Sequence, residues 1–325
     1  MNKNNEFPLV SVIVITYNSG KYIIETLESI KNQTYKNIEL IVSDDCSKDN
    51  TIAVCREWIE HNKSRFKKAV LITTHKNTGT AGNANRGIAN SSGEWIKFLA
   101  GDDILMNDAI ENYVNYISDS KEDIKVCFAK GVQFFGDFKE KKTQDLPVPL
   151  ETYAYGQDST AKRQYSILKR NFLGSGPSFF VMKKVLESVG GFDERFPLMD
   201  DYPLYLKISA AGYKFYLLPQ IVFFYRNHSD SVSHSVVSDS IISNISIRCL
   251  KDYHYLYKFE HLNWLWKIFL KYSMGLNYLI LFMGNSKKNI SCLCIYGISL
   301  LTDPFIWHSR LMNLFDKIYN YLQKN

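Results

Sequence analysis

The stretch VSVIVIT, residues 10–16, decides how the rest of this chain is read. Its β-branched residues run almost without interruption instead of alternating with polar ones. That pattern predicts a strand buried on both faces, as in parallel sheets covered by helices. The run resembles the apolar core of a signal peptide, but no small-residue cleavage site follows it. It ends in Thr16-Tyr17-Asn18, so a buried strand is the better reading.

Working outward, the same grammar repeats. Lys21–Lys31 places Ile23, Ile24, Leu27 and Ile30 at helical spacing. Ile38–Val42 reads as a second strand, and Asp49 caps a helix running to about Ile59. Val70–Thr73 is a third strand, Ala81–Ala89 a helix and Trp95–Leu99 a fourth strand. The alternation predicts an α/β fold: a doubly wound, mostly parallel sheet flanked by helices. Ligands of such sheets bind outside the carboxyl ends of the strands. The polar segments Thr16–Ser19, Ser43–Asp49 and Gly101–Asp103 fall at those ends, so the chemistry is expected there. From 104 to 219 the pattern is less regular. Residues 136–160 read as a long loop, a common form for lids. Ser178–Met182 reads as a strand and Asp201–Ala211 as a helix ended by Gly212. Phe215–Leu218 and Ile221–Tyr225 read as two strands split by Pro219.

Composition narrows the class. With 46% hydrophobic and 22% charged residues in 325, the chain has globular and not disordered composition. The net charge of +6 is concentrated: residues 251–325 hold nine Lys/Arg against four Asp/Glu. In that tail Trp264, Leu265, Ile268, Phe269, Tyr272, Leu276, Leu279 and Ile280 recur at helical spacing, with Lys267 and Lys271 on the other face. Ile290–Leu301 is a second apolar stretch. Two readings stand: a helix lying in a membrane interface, or one packed on the main domain or a second subunit, giving an oligomer. No Lys/Arg run interleaved with aromatics marks a nucleic-acid groove, so lipid is the expected anionic surface and nucleic acid is not a partner. No stretch of about 18 apolar residues is present to span a bilayer. Six cysteines stand at 46, 55, 127, 249, 292 and 294. The lone C-x-C at Cys292 and Cys294 lacks a second pair for zinc, so buried free thiols in a reducing compartment are expected.

Three acidic pairs carry candidate chemistry. Asp44-Asp45 follows the second strand, where a carboxylate can accept from a nucleobase N–H or ribose hydroxyls, or simply shape a turn. Asp102-Asp103 follows the fourth strand. Adjacent carboxylates there are costly unless a cation neutralises them; Mg2+ or Mn2+, bound through one or two carboxylates plus substrate phosphates, fits. Asp200-Asp201 opens a helix, whose dipole favours the ionised form that a general base needs. Capping is the plainer role for such an Asp.

Seven segments in order resemble the inverting family 2 glycosyltransferases of the GT-A, nucleotide-diphospho-sugar transferase, fold. They are VSVIVITYN (10–18), QTYKNIELIVSDDCSKDNT (33–51), NTGTAGNANRGI (77–88), GEWIKFLAGDD (93–103), VGGFDE (189–194), DDYPLYLKI (200–208) and YRNHSDSVS (225–233). The resemblance covers about 8–235. It implies a domain over 1–238, with a donor half to about 103 and an acceptor half beyond it; the region 239–325, expected to be helical from its apolar spacing, lies outside the resemblance. It implies a nucleotide-sugar site at Thr16, Tyr17, Asp45, Asn83, Arg86 and Asp102, with Tyr17 against the base and Asp45 on a uracil. Asp103 would bind the metal, Mn2+ or Mg2+. Asp201 matches the catalytic base, and Arg226 and His228 stand where some members contact the diphosphate or metal. Two departures are visible: Ala100 where many members have Asp, and Cys46 where Gly is frequent.

The expected function is transfer of a hexose, with inversion, from UDP-glucose or UDP-galactose to a glycan hydroxyl. Joined to the basic tail, this suggests a lipid-diphosphate-linked acceptor, as in O-antigen or other bacterial surface polysaccharide synthesis. The location would be cytoplasmic and peripheral, on the inner face of the membrane. The rival is a catalytically silent nucleotide-sugar-binding or scaffold protein. A dinucleotide-binding dehydrogenase would need G-x-G-x-x-G after the first strand, where T-Y-N-S-G-K stands. A nucleotidyltransferase would need a Gly-rich basic loop there, which is absent.

Overall fold

The structure is a computed structural model that describes residues 7–135, 142–146, 154–156, 159–169, 176–196, 201–228, 261–308, 310, 311, 314 and 318. Asp200, Cys249, most of 136–160 and all of 229–260 lie outside them. The chain divides into two compact units, 1–148 with 174–226, and 149–173 with 227–325.

The first unit is built on β1 (Val10–Thr16), whose residues Val10–Val14 are fully buried, as a strand covered on both faces requires. It pairs in parallel with β2 (Ile38–Asp44) on one side and β4 (Trp95–Ala100) on the other; β2 pairs with β3 (Lys68–Thr73). The crossovers are α1 (Ile23–Lys31), α2 (Thr51–Asn62) and α3 (Gly79–Ala89). Ile23, Leu27 and Ile30 of α1 pack into the same core as Val10, Val12 and Val14, whereas Ile24, read as part of the same apolar stripe, is exposed.

Glu39 is one of the buried charged residues in this half. It is fully buried in β2 and accepts from the Ser11 hydroxyl, the Ser92 hydroxyl (2.6 Å) and the backbone N–H groups of Ser92 (2.5 Å) and Gly93 (2.9 Å). One carboxylate thus ties β1, β2 and the turn before β4 together at the end of the sheet away from the acidic pairs. Burial pushes its pKa up, but these hydrogen bonds outweigh that and leave it below the ordinary value.

Beyond β4 the sheet changes character. The later strands are β5 (Ile104–Leu105), β6 (Val126–Phe135), β7 (Lys142–Asp145), β8 (Phe180–Met182) and β9 (Tyr216–Asn227). The full order is β3-β2-β1-β4-β8-β6-β9-β5, with β7 on β6, and the pairs β4–β8, β5–β9, β6–β7 and β6–β8 are antiparallel. The region that looked irregular in sequence therefore holds a strand, helix α4 (Ala109–Asp119) and another strand. Pro219 does not split β9. β5 meets β9 only at Phe223 and Phe224, so no ladder bond to β5 is asked of Pro219. Helix α5 (Ala161–Leu168) belongs to the second unit; α6 (Lys183–Ser188) and α7 (Asp201–Ala210) belong to the first.

The second unit also carries α8 (Trp264–Phe282) and α9 (Ile290–Thr302). Ser273 donates to Asp303 at 2.5 Å, and Leu270, Met274, Ile280 and Cys292 are buried. Much of the remaining apolar surface is open: Trp264 is 73% exposed, Phe282 89% and Leu301 68%. No helix among the described residues is long and apolar enough to cross a membrane. The five described cysteines are free.

Candidate active site

The last two residues of β1 organise two groups of side chains. The Thr16 carbonyl accepts from the Asp45 backbone N–H (3.0 Å) and the Asn83 amide (3.2 Å). The Ile15 carbonyl accepts from the Gly101 N–H (3.0 Å), which opens the Gly101-Asp102-Asp103 turn. Strand-end geometry thus fixes both acidic pairs to one strand.

In the first group Asp44 and Asp45 do different things. Asp44 accepts from the Thr16 hydroxyl (2.7 Å) and from Ser47, so it shapes the end of β2. Asp45 is buried and accepts from Arg86 (2.8 Å), the Thr78 hydroxyl (2.7 Å), and the N–H groups of Thr78 and Gly79 (2.8 Å each). The last two come from the start of α3, which has no side-chain cap of its own, so Asp45 also stands in as that cap. Asn83 is buried, and its side-chain oxygen accepts from Arg86 at 3.3 Å. The Arg86 Nε is buried with no partner among the described residues. Tyr17 is 49% exposed beside this group. Cys46 has φ +70°, a left-handed conformation that glycine adopts without strain.

The second group surrounds a cavity of about 170 Å³. Phe98, Phe179, Phe192 and Tyr225 wall it, and Asp103 and Asp201 are its acidic groups. Asp103 Oδ1 accepts from the Arg226 N–H at 3.0 Å, whereas its buried Oδ2 has no partner among the described residues. Burial, and then the charge of Asp102, push its pKa well above the carboxylate range; the Arg226 N–H and the charges of Arg226 and Lys97 pull the other way. An orphaned buried carboxylate oxygen is costly, and a divalent cation completed by donor phosphates offsets that cost. The donor chemistry therefore fits a hard cation at Asp103, although the described residues hold no cluster of three His, Cys, Asp or Glu. Ala100 lines the same cavity and adds no ligand.

Asp201 begins α7 and is half-buried on the cavity wall, where the helix dipole favours its ionised form. The structure thus brings Asp103 and Asp201, about a hundred residues apart in sequence, onto one cavity. It does not add Arg226 to that cavity. Arg226 is buried with its guanidinium on the Asp102 carbonyl (2.9 Å) and Glu25 (3.0 Å), stacked over Tyr22 and Phe134. Its work is to brace the Asp102-Asp103 turn. His228 follows β9 and belongs to the second unit.

The chain's likeness to known proteins agrees with this site. Residues 11–190 match the model of the family described as glycosyl transferase family 2. The chain belongs to this family. An uncharacterized glycosyltransferase of Rickettsia typhi is 26% identical over 299 residues, covering 91% of this chain and 82% of that one. A putative glycosyltransferase of Bacillus subtilis, EpsE, is 28% identical over 262 residues, covering 78% and 88%. Staphylococcus aureus TarS 1–349 in complex with UDP-GlcNAc superposes with TM-score 0.57 at 17% identity, over 94% of this chain and 88% of that one. A Pyrobaculum calidifontis mannosyltransferase in complex with GDP-Man and Mn2+ does so with TM-score 0.53 at 18% identity, over 99% and 89%. The fold is GT-A, and the family is one of glycosyltransferases.

Sequence reasoning missed several members of the site. Thr78 shares Asp45 with Arg86, and only the start of α3 reveals it. Lys97 lies within the fourth strand, Trp95–Leu99. A lysine inside an apolar central strand was the available signal, because lysine is almost never fully buried without a partner.

Proposed function

We propose that this protein transfers a hexose, with inversion, from a UDP-sugar to a hydroxyl of a glycan acceptor. What supports this most is the sharing of one strand-end cavity by Asp103, with its unpartnered oxygen, and Asp201. In this reading Tyr17 and Asp45 receive the base, with Arg86 and Asn83 holding the Asp45 carboxylate in place. Asp102 contacts the ribose or sugar. Asp103 holds a divalent cation, Mn2+ or Mg2+, which supplies charge neutralisation for the departing diphosphate. Asp201 accepts the proton of the acceptor hydroxyl as that oxygen attacks the anomeric carbon, on the face opposite the leaving group. The bond to the nucleoside diphosphate breaks as the new glycosidic bond forms, so an α-linked donor gives a β-linked product.

Uridine as the base is supported by Asp45 at the strand end and by the fold-level likeness to a UDP-GlcNAc complex. Glucose or galactose is the sugar proposed. The open apolar surface of α8 and α9, beside the exposed Lys271, Lys287 and Lys288, supports peripheral attachment to an anionic membrane and an acceptor carried on a lipid diphosphate. Release of nucleoside diphosphate across a panel of UDP-, GDP- and dTDP-hexoses, UDP-GlcNAc included, tests the donor. The expected result is turnover confined to one or two UDP-sugars. Turnover of only GDP- or dTDP-sugars would reject uridine.

A further inference from the structure

Lys97 lies at the seam of the sheet. Its neighbours in register are Val12 of the parallel half and Phe180 of the antiparallel half. It is fully buried, and burial pushes its pKa down to about 7 against the opposing attraction of Asp103. No carboxylate makes an ion pair with it among the described residues. Its ammonium instead donates to the Pro177 carbonyl and faces the rings of Tyr113 (5.2 Å) and Phe223 (5.9 Å). An apolar side chain of similar size would satisfy the strand at lower cost, so the fold alone does not account for a lysine here.

The carbonyl that Lys97 holds belongs to the turn Gly176–Ser178. Tyr113 of α4 holds the same turn, donating its hydroxyl to the Ser178 carbonyl at 2.5 Å while its ring stacks on Phe180. The other side of the turn abuts the candidate base: a Cβ on Gly176 would stand 2.8 Å from Asp201 Oδ2 and 3.1 Å from Oδ1. Two buried polar side chains, one from β4 and one from α4, therefore converge on a backbone segment that touches the Asp201 carboxylate and lines the cavity.

We propose that Lys97 and Tyr113 are positioning residues for the transfer step, holding the Gly176–Ser178 turn so that it fixes the Asp201 carboxylate at the cavity. The proposal rests on Asp201 being the base. Neither residue touches the nucleotide group around Asp45, so their loss should act on turnover and spare UDP.

The test is Lys97→Met, which keeps the volume and removes the ammonium, beside Tyr113→Phe, which keeps the ring and removes one hydroxyl. For each, kcat, donor KM, UDP affinity by calorimetry and Tm are measured with the full chain. Misplacement of a reacting group by about 1 Å costs on the order of 100-fold, so kcat should fall roughly 10- to 100-fold in each, with UDP affinity held. The double variant should be little worse than the worse single one, because both act on one turn. Wild-type kcat in Tyr113→Phe and in any folded Lys97→Met overturns the proposal, as does a fall in kcat matched by a parallel loss of UDP affinity. If Lys97→Met does not fold, Tyr113→Phe decides alone. Asp201→Asn in the same assay separates the layers. An active Asp201→Asn removes the base reading, whereas an inactive one beside active Lys97→Met and Tyr113→Phe removes only the positioning.

Discussion

At Asp103 one carboxylate oxygen accepts from the Arg226 N–H, and the other accepts from nothing among the described residues. At Asp45 both oxygens are taken, by Arg86, Thr78 and Gly79. The two residues resemble each other in sequence, each the second Asp of a pair after a strand. Their surroundings separate them: protein donors orient both oxygens of Asp45, which keeps lone pairs for a ligand N–H, and one oxygen of Asp103 is left for a cation. Asp103→Ala should therefore abolish the response of UDP binding to Mn2+. Calorimetry should show wild-type affinity for UDP rising about tenfold or more with Mn2+, roughly 1.4 kcal/mol per tenfold, and no rise in the variant. A variant that still responds would move the metal away from Asp103. The pairing of the Asp residues was legible in sequence. The closure of Asp45 was not, because Thr78 and Gly79 reach it only once α3 is docked.

At the scale of elements, the sheet is pinned at both ends by buried carboxylates. Glu39 does this at the end remote from the site, through four hydrogen bonds. Its folded pKa lies below the ordinary 4.5, so its stabilisation is whole above that value and is lost as pH falls through the depressed one. Glu39→Gln should cost about 2 kcal/mol near neutrality, in line with hydrogen bonds to a charged group. The gap between wild type and variant should narrow as pH falls below 4.5 and close once pH is below the depressed folded pKa, as thermal melts across pH would show. A constant gap at every pH would mean that the charge is not what matters. The elements β1 to β4 were legible because each is a short, mostly apolar run bounded by polar turns. β5 and β7 were not, since strands of two and four residues carry no periodicity. β9 was misread at Pro219: the strand runs through the proline, and its neighbour β5 pairs with it only at Phe223 and Phe224. Lys97 was hidden for a different reason: its meaning lies in a turn eighty residues away.

At the scale of the molecule, the second unit leaves large apolar side chains open beside lysines, on helices too short or too polar to span a bilayer. That combination predicts binding to the surface of anionic vesicles. Sedimentation with vesicles rich in anionic lipid should carry the full chain down at about 0.1 M salt and less of it at about 0.5 M, where charges are screened within a few ångströms. Equal recovery with neutral and anionic vesicles would argue for a protein partner on this face. The basic tail was visible as composition, but its open face is visible only in the fold.

The central claim is that two strand-end carboxylates, Asp45 and Asp103, and one at a helix start, Asp201, divide the work, with Asp201 alone moving the proton. It is tested most directly by Asp201→Asn, with turnover of the best UDP-sugar and UDP affinity measured side by side. The account predicts turnover lower by about 10²- to 10⁴-fold, the usual contribution of general-base catalysis, with UDP affinity unchanged. Wild-type turnover by Asp201→Asn would contradict it.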